Sequence, residues 1–238
     1  MTLQRLIVLL AALALAAATA RLGVWQLDRA AQKTTLQAAI DSRRDMAPLA
    51  TAELARTTEE APAQHHRRIE IEGIWLRDFT VYLDNRQMLG RPGFFVVTPL
   101  LLPDGTAVLV QRGWQARDAM ERTRVVEPAT PAGTVHVSGR IAPPPARLYE
   151  FDGAASGAIR QNLDLAAFGR EFRLNLRPVS LLQLDTSTPT ADGLRRKWLQ
   201  PAADVHKHYG YAFQWFALCA LTIGLYVWFQ LLRPRRRR

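Results

Sequence analysis

The sequence predicts a two-helix transmembrane protein with an extracytoplasmic α+β domain, mainly antiparallel β and built as a small barrel or sandwich with short helices. Three observations predict it. Uncharged apolar runs stand near both ends of the 238 residues. The basic excess gathers outside those runs, and the hydrophobic period between them changes from helical to alternating after Arg67.

The charge pattern decides the first question. A net charge of +10, from 31 Lys+Arg against 21 Asp+Glu, invites a nucleic-acid reading, yet Arg5, Arg233, Arg235, Arg236, Arg237 and Arg238 hold much of the excess. What remains is nearly balanced, so no nucleic-acid partner is expected and the terminal arginines read as topology signals. The single cysteine excludes an internal disulfide, CxxC dithiol exchange and a cysteine-rich metal site.

From Tyr209 to Leu232 there is no charge, and as a helix this run would measure roughly 35 Å against a hydrocarbon core of about 30 Å. Tyr209, Tyr211 and Trp215 at one end and Tyr226 and Trp228 at the other suit the two headgroup zones. The arginines that follow predict a cytoplasmic C-terminus. The N-terminal run, Leu6 to Ala20, is shorter, and Ala18-Thr19-Ala20 has the form of a signal-peptidase site. Apolar character resumes at Leu22 to Trp25, so a retained span over Leu6 to Trp25, with Arg21 snorkelling, is the reading adopted beside cleavage. Residues 1–5 are then a cytoplasmic N-terminus, 6–25 the first span, 26–208 a periplasmic β-rich domain, 209–232 the second span and 233–238 a cytoplasmic tail.

Between the spans, Leu27, Ala30, Ala31, Thr34, Leu36, Ala38 and Ile40 recur at helical spacing among charged residues, predicting a helix that leaves the membrane. Thr51 to Thr58 predicts a short helix. Ile69, Ile71 and Ile74 alternate with polar residues, and Phe79 to Leu83 repeats the strand pattern. Phe94 to Leu102, a Pro103-Asp104-Gly105 turn and Ala107 to Gln111 predict a hairpin. Further strands are expected at Val135 to Ile141, Ala158 to Asn162 and Val179 to Leu184.

Enzyme signatures are missing: there is no GxSxG, HExxH, Walker loop or GxGxxG after a strand, so the chain is read as a non-enzyme. His65-His66, beside Arg67 and Arg68, predicts a solvated basic loop, and His136 an outward polar partner in a strand. Arg86, Arg112 and Arg140 are expected at strand ends, as solvated groups or ion pairs, or as a basic rim for carboxylates such as haem propionates. Trp75, Trp114 and Trp198 are expected in the core or, if exposed, at a partner surface.

His206 and His208 precede the second span. If its helix begins near His208, then His208, Tyr211 or Ala212, Trp215 and Cys219 share one face. An imidazole heading such a stripe could ligate a haem iron, with Gly210 and Ala212 leaving room for the ring. The alternative is an interfacial histidine bonded to water and headgroups, its aromatic face packing on the first span.

Several strings carry a family resemblance: Leu22-Gly23-Val24-Trp25-Gln26-Leu27, Gly73-Ile74-Trp75, Tyr82-Leu83-Asp84-Asn85-Arg86, Gly90 to Leu100, Val108 to Trp114, Val137-Ser138-Gly139-Arg140 and His208 to Phe216. In this order, between two spans, the chain resembles the Surfeit locus protein 1 family of cytochrome c oxidase assembly factors. The resemblance implies a chaperone-like factor of the cell inner membrane that helps build haem-copper oxidase, some members binding haem a and passing it toward the catalytic subunit. That subunit and haem a synthase are the implied partners. The family's haem-associated histidine falls on His208, with Tyr211, Ala212 and Trp215 on the cofactor face. Gln111 departs from the expected Asn, and His206-Lys207 replaces residues that are commonly Asn, making His206 a competing ligand. A cofactor-free membrane scaffold that stabilises an oxidase intermediate is the alternative.

Overall fold

The computed structural model describes residues 3–121, 123–149, 157–184, 191–198 and 204–233. They belong to two compact units, one formed by Met1–Ala39 with Leu199–Arg238 and the other by Ile40–Trp198.

In the first unit, α1 (Leu3–Arg44) is one continuous helix, so the N-terminal run and the helix expected after it are a single element. At 1.5 Å per residue it measures roughly 63 Å, about twice a hydrocarbon core. Its partner α4 (Val205–Tyr226) starts four residues before the expected Tyr209 and continues in π-helical geometry over Val227–Leu232. Both helices are long and apolar enough to cross a membrane. Each has one sheltered stripe. On α1 it comprises Leu9, Ala12, Ala16, Thr19, Gly23 and Gln26; on α4, Val205, His208, Ala212, Trp215, Cys219, Thr222 and Tyr226. Steps of three and four residues give the heptad seam of paired helices, and small residues let the backbones approach. The register is antiparallel: Gln26 meets His208, while Ala16, earlier in α1, accepts from the Cys219 thiol, later in α4, at 3.4 Å. Between these levels Phe216 lies on Gly23, where an added Cβ would stand 2.8 Å from the ring. Away from the seam, Leu10, Leu13, Val24, Phe213, Leu221 and Ile223 are exposed, as a lipid-facing surface requires.

The second unit is a closed sheet. Its strands are β1 (Leu49–Ala50), β2 (Arg68–Trp75), β3 (Val81–Met88), β4 (Arg91–Leu101), β5 (Ala107–Ala116), β6 (Thr134–Ala142), β7 (Ile159–Arg160) and β8 (Leu176–Gln183). The order is β1-β2-β6-β8-β5-β4-β3-β7, and β2 also pairs with β4 through Ile74 with Leu101 and Trp75 with Leu100. Strands β2, β6, β8, β5 and β4 therefore form a ring, the small barrel the sequence predicts. The sheet is more mixed than expected, since β1–β2, β3–β7 and β5–β8 are parallel. The helix α3 (Leu165–Phe172) connects β7 to β8, the strand that lies between β6 and β5 in the sheet. The sequence reading missed α3, although Asp164 caps it by accepting from the Ala167 N–H at 2.8 Å, and Leu165, Phe168 and Phe172 show its spacing.

Alternation along the strands divides the core. Val108 and Val110 of β5 join Ile69, Ile71, Leu100, Ile141 and Leu181 inside the ring, while Leu109 turns outward to Leu83, Val97 and Phe168 under α3. In β2 the inward series is Ile69, Ile71, Gly73 and Trp75, so Ile74, expected inside, is exposed. Closure of the ring is the reason. A Cβ at Gly73 would stand 2.4 Å from the Leu101 carbonyl of β4, so only glycine fits the inward position where the strands converge.

The Pro103-Asp104-Gly105 hairpin turn forms as expected. Thr106 donates its hydroxyl (2.6 Å) and N–H (3.0 Å) to Oδ1 of Asp104, and buried Arg177 of β8 donates to Oδ2 at 2.6 Å. These bonds, led by the Thr106 hydroxyl, hold the carboxyl down to about 2. The expected helix over Thr51 to Thr58 is a single 3-10 turn at Thr51–Glu53, followed by one helical turn, α2 (Ala61–Gln64). The strand expected over Ala158 to Asn162 is the two-residue β7.

Candidate functional site

Two groups of polar residues were singled out by sequence, and they lie in different units. In the barrel, Arg86 and Arg112 stand within β3 and β5 instead of following them, because both strands run on past the expected ends. Both are buried, which corrects the expectation of solvated strand ends or a basic rim. A bulge between Leu83 and Arg86, with Asn85 at φ +60°, turns Arg86 inward. It donates to the Gln161 carbonyl at 2.9 Å, and its own carbonyl accepts the Trp114 indole N–H at 2.9 Å. Arg112 donates to Thr130 Oγ1 at 2.6 Å and the Ala129 carbonyl at 2.9 Å, meets Asp192 at 3.4 Å, and lies over Trp75. Burial lowers the pKa of Arg86, Arg112 and the half-buried Arg140 from the usual arginine value. Arg86 and Arg112 thus tie loops to strands and do not form a rim open to a ligand.

The histidines of this unit also separate. His136 is exposed and faces Glu72 at 3.1 Å, the outward strand partner expected. His65 and His66 are half-buried, with His66 at φ +74°, so the solvated loop is corrected to a packed one. Burial, reinforced by Arg43, and for His66 by Arg140, lowers both pKa values. Trp75 and Trp114 are in the core, while Trp198 is half-buried, edge-on to Phe95, and donates to the Gln183 carbonyl at 2.8 Å.

In the helix unit, His208, Ala212 and Trp215 share the seam face with Cys219, whereas Tyr211 points away from it and is exposed. Ala212 is closed off by packing, and Gly210, two residues from His208 and therefore on the exposed side of α4, does not open a space beside the imidazole. His206 is exposed, outside the seam. The His208 imidazole is half-buried, with Nδ1 2.8 Å from Oε1 of Gln26. Sequence reading missed Gln26 as a site residue. Its signal was a lone amide just past the apolar run, in the string Leu22 to Leu27.

The depth of this pair follows from helix geometry. From His208 to Trp228 is roughly 30 Å along α4, about one hydrocarbon thickness. Exposed Trp25, Tyr209 and Tyr211 stand at the His208 level and exposed Trp228 at the other, so the Gln26–His208 pair lies at an aromatic belt. Among the described residues no group of three or more His, Cys, Asp or Glu could hold a metal ion.

The SURF1 family model matches residues 13–220, a span that includes both Gln26 and His208. This chain belongs to the SURF1 family. Relatives over nearly the full length are two SURF1-like proteins, one from Rickettsia bellii, 25% identical with 86% of this chain and 83% of the relative covered, and one from Rickettsia felis, 24% identical with 87% and 89% covered. A shorter match, 30% identical over 94 residues, covers 39% of this chain and 24% of the cytochrome oxidase assembly protein SHY1 of Saccharomyces cerevisiae. The matched span runs through both units.

Proposed function

We propose that this SURF1 family protein is a non-enzymatic assembly factor for haem-copper cytochrome c oxidase, sitting in the inner membrane with both termini cytoplasmic and the barrel periplasmic. In this reading it binds haem a at His208 and assists its transfer to the catalytic subunit, with haem a synthase as a donor partner. The observation that carries the reading is the half-buried imidazole at the aromatic belt. The oxidase role is drawn from the yeast relative, a cytochrome oxidase assembly protein, and from the family.

The chemistry agrees. Haem a has a farnesyl tail and is nearly insoluble in water, so a carrier must offer a ligand where lipid meets water. His208 would hold the iron through an imidazole nitrogen, while exposed Tyr211 and half-buried Trp215 flank that level of α4. His206, exposed and off the seam, is the weaker candidate.

A second reading is a cofactor-free scaffold that stabilises an oxidase intermediate. The Gln26–His208 bond favours it, since one interhelical hydrogen bond also suits a purely structural lock. One experiment separates the two. The full chain is purified from cells making haem a, beside His208→Ala and His206→Ala, and each variant is returned to a deletion strain. The first reading expects coloured wild type, colourless His208→Ala and low oxidase activity with that variant. Colourless wild type that restores oxidase supports the scaffold, and oxidase activity indifferent to the deletion rejects both.

A further inference from the structure

We propose that Gln26 is a positioning residue for His208: its carbonyl fixes the hydrogen on Nδ1, so that Nε2 is the unprotonated nitrogen offered to iron. The inference rests on the haem reading above and adds a residue that reading does not need.

The geometry supplies each step. Oε1 of Gln26 lies 2.8 Å from Nδ1 of His208, and a carbonyl oxygen only accepts, so Nδ1 must carry the hydrogen. A neutral imidazole has one such hydrogen, which leaves the lone pair on Nε2. Helix packing holds the partners in place. Both occupy seam positions, and the Phe216–Gly23 and Cys219–Ala16 contacts set the same antiparallel register deeper in the pair. The nearby carboxylate of Asp204 is bound by Lys207 at 2.9 Å, so the neutral amide is the partner of His208.

An amide in this role has a consequence for affinity. A carboxylate on Nδ1 would pull the imidazole toward imidazolate and strengthen its bond to iron, whereas an amide orients the ring with less electron push. Such a ligand is directed but not overly tight, as suits a group that must be handed on.

The test uses the full chain in nanodiscs with 15N-labelled histidine, His208→Ala identifying the resonance. In apo wild type at pH 8.5 the His208 signals should be those of the Nδ1–H tautomer, and in Gln26→Leu they should shift to a mixture. After co-expression with haem a synthesis, Gln26→Leu should retain haem about tenfold less well. Gln26→Glu, which keeps the acceptor, should retain it and lower the haem reduction potential relative to wild type. An Nε2–H tautomer in wild type, or tautomer, retention and potential all unmoved by both variants, would overturn the inference while leaving His208 as the ligand. Wild type without haem, whatever its tautomer, would overturn the haem reading and the inference with it.

Discussion

The helix pair and the barrel differ in where they spend polar groups. In the pair, each helix satisfies its own backbone, the seam is lined by small residues such as Ala12, Ala16, Gly23 and Ala212, and the side-chain pair that crosses it is Gln26 with His208. In the barrel, buried Arg86, Arg112 and Arg177 reach across to the backbone carbonyls of Gln161, Ala129 and Leu54 and hold loops onto the ring. The contrast teaches that buried polar contacts have different duties in the two units. Those of the barrel hold loops to strands, whereas Gln26–His208 joins two helices that also meet through the Phe216–Gly23 and Cys219–Ala16 contacts.

The largest expected effect sharpens this contrast directly. Arg112→Met should destabilise the barrel by about 2–3 kcal/mol, because it leaves the Ala129 carbonyl and the Thr130 hydroxyl without their buried donor, while Asp192 keeps Arg196. Gln26→Leu should cost the helix pair only about 1 kcal/mol or less. Denaturant unfolding of the full chain in detergent, with tryptophan fluorescence for the barrel in a Trp25→Phe, Trp215→Phe and Trp228→Phe background and helical circular dichroism for the pair, measures both. Equal costs would break the distinction. Next in size, Gly73→Ala forces a methyl onto the Leu101 backbone and should cost the barrel about 1–3 kcal/mol, while Gly23→Ala meets only the movable, partly exposed Phe216 ring and should cost less than about 1 kcal/mol.

How much of this was legible differs between the units for the same physical reason. Heptad spacing and charge-free length reveal α1 and α4 because a helix in an apolar solvent is specified by local pattern, and His208 with Trp215 could be put on one face from spacing alone. Gln26 could not, since its distance to His208 depends on the register between helices far apart in sequence. In the barrel, alternation located β2, β4, β5 and β6, but Ile74 was turned the wrong way because ring closure at Gly73 is a long-range event. Arg86 and Arg112 were misjudged because a charged residue reads as a strand end until the carbonyls that pair with it, distant in sequence, are known. The Pro103-Asp104-Gly105 turn was local and was read correctly.

Acid should act on the barrel first. His65 and His66 have lowered pKa values in the fold, so their contribution is complete above about pH 6.5 and declines as the pH falls through those lowered values. A modest fall in barrel melting temperature between neutral pH and about pH 5 is expected, and His65→Gln with His66→Gln should flatten it. A second decline belongs to Asp104, whose contribution is present above its ordinary value of 3.8 and is lost as the pH drops toward about 2. Asp104→Asn should remove that step. The smallest effect is expected at the lipid-facing surface, where Phe213→Leu should leave both units within about 0.5 kcal/mol of wild type.

The pairing of the two seams underlies both the ligand assignment and the role of Gln26, and thiol cross-linking tests it most directly. Ala16→Cys, opposite native Cys219, is treated in membranes with a short thiol-to-thiol linker, beside Ala14→Cys on the exposed face of α1. Antiparallel pairing predicts rapid cross-linking within one chain for Ala16→Cys and little for Ala14→Cys. Equal yields at the two positions, or links formed only between chains, would contradict the account.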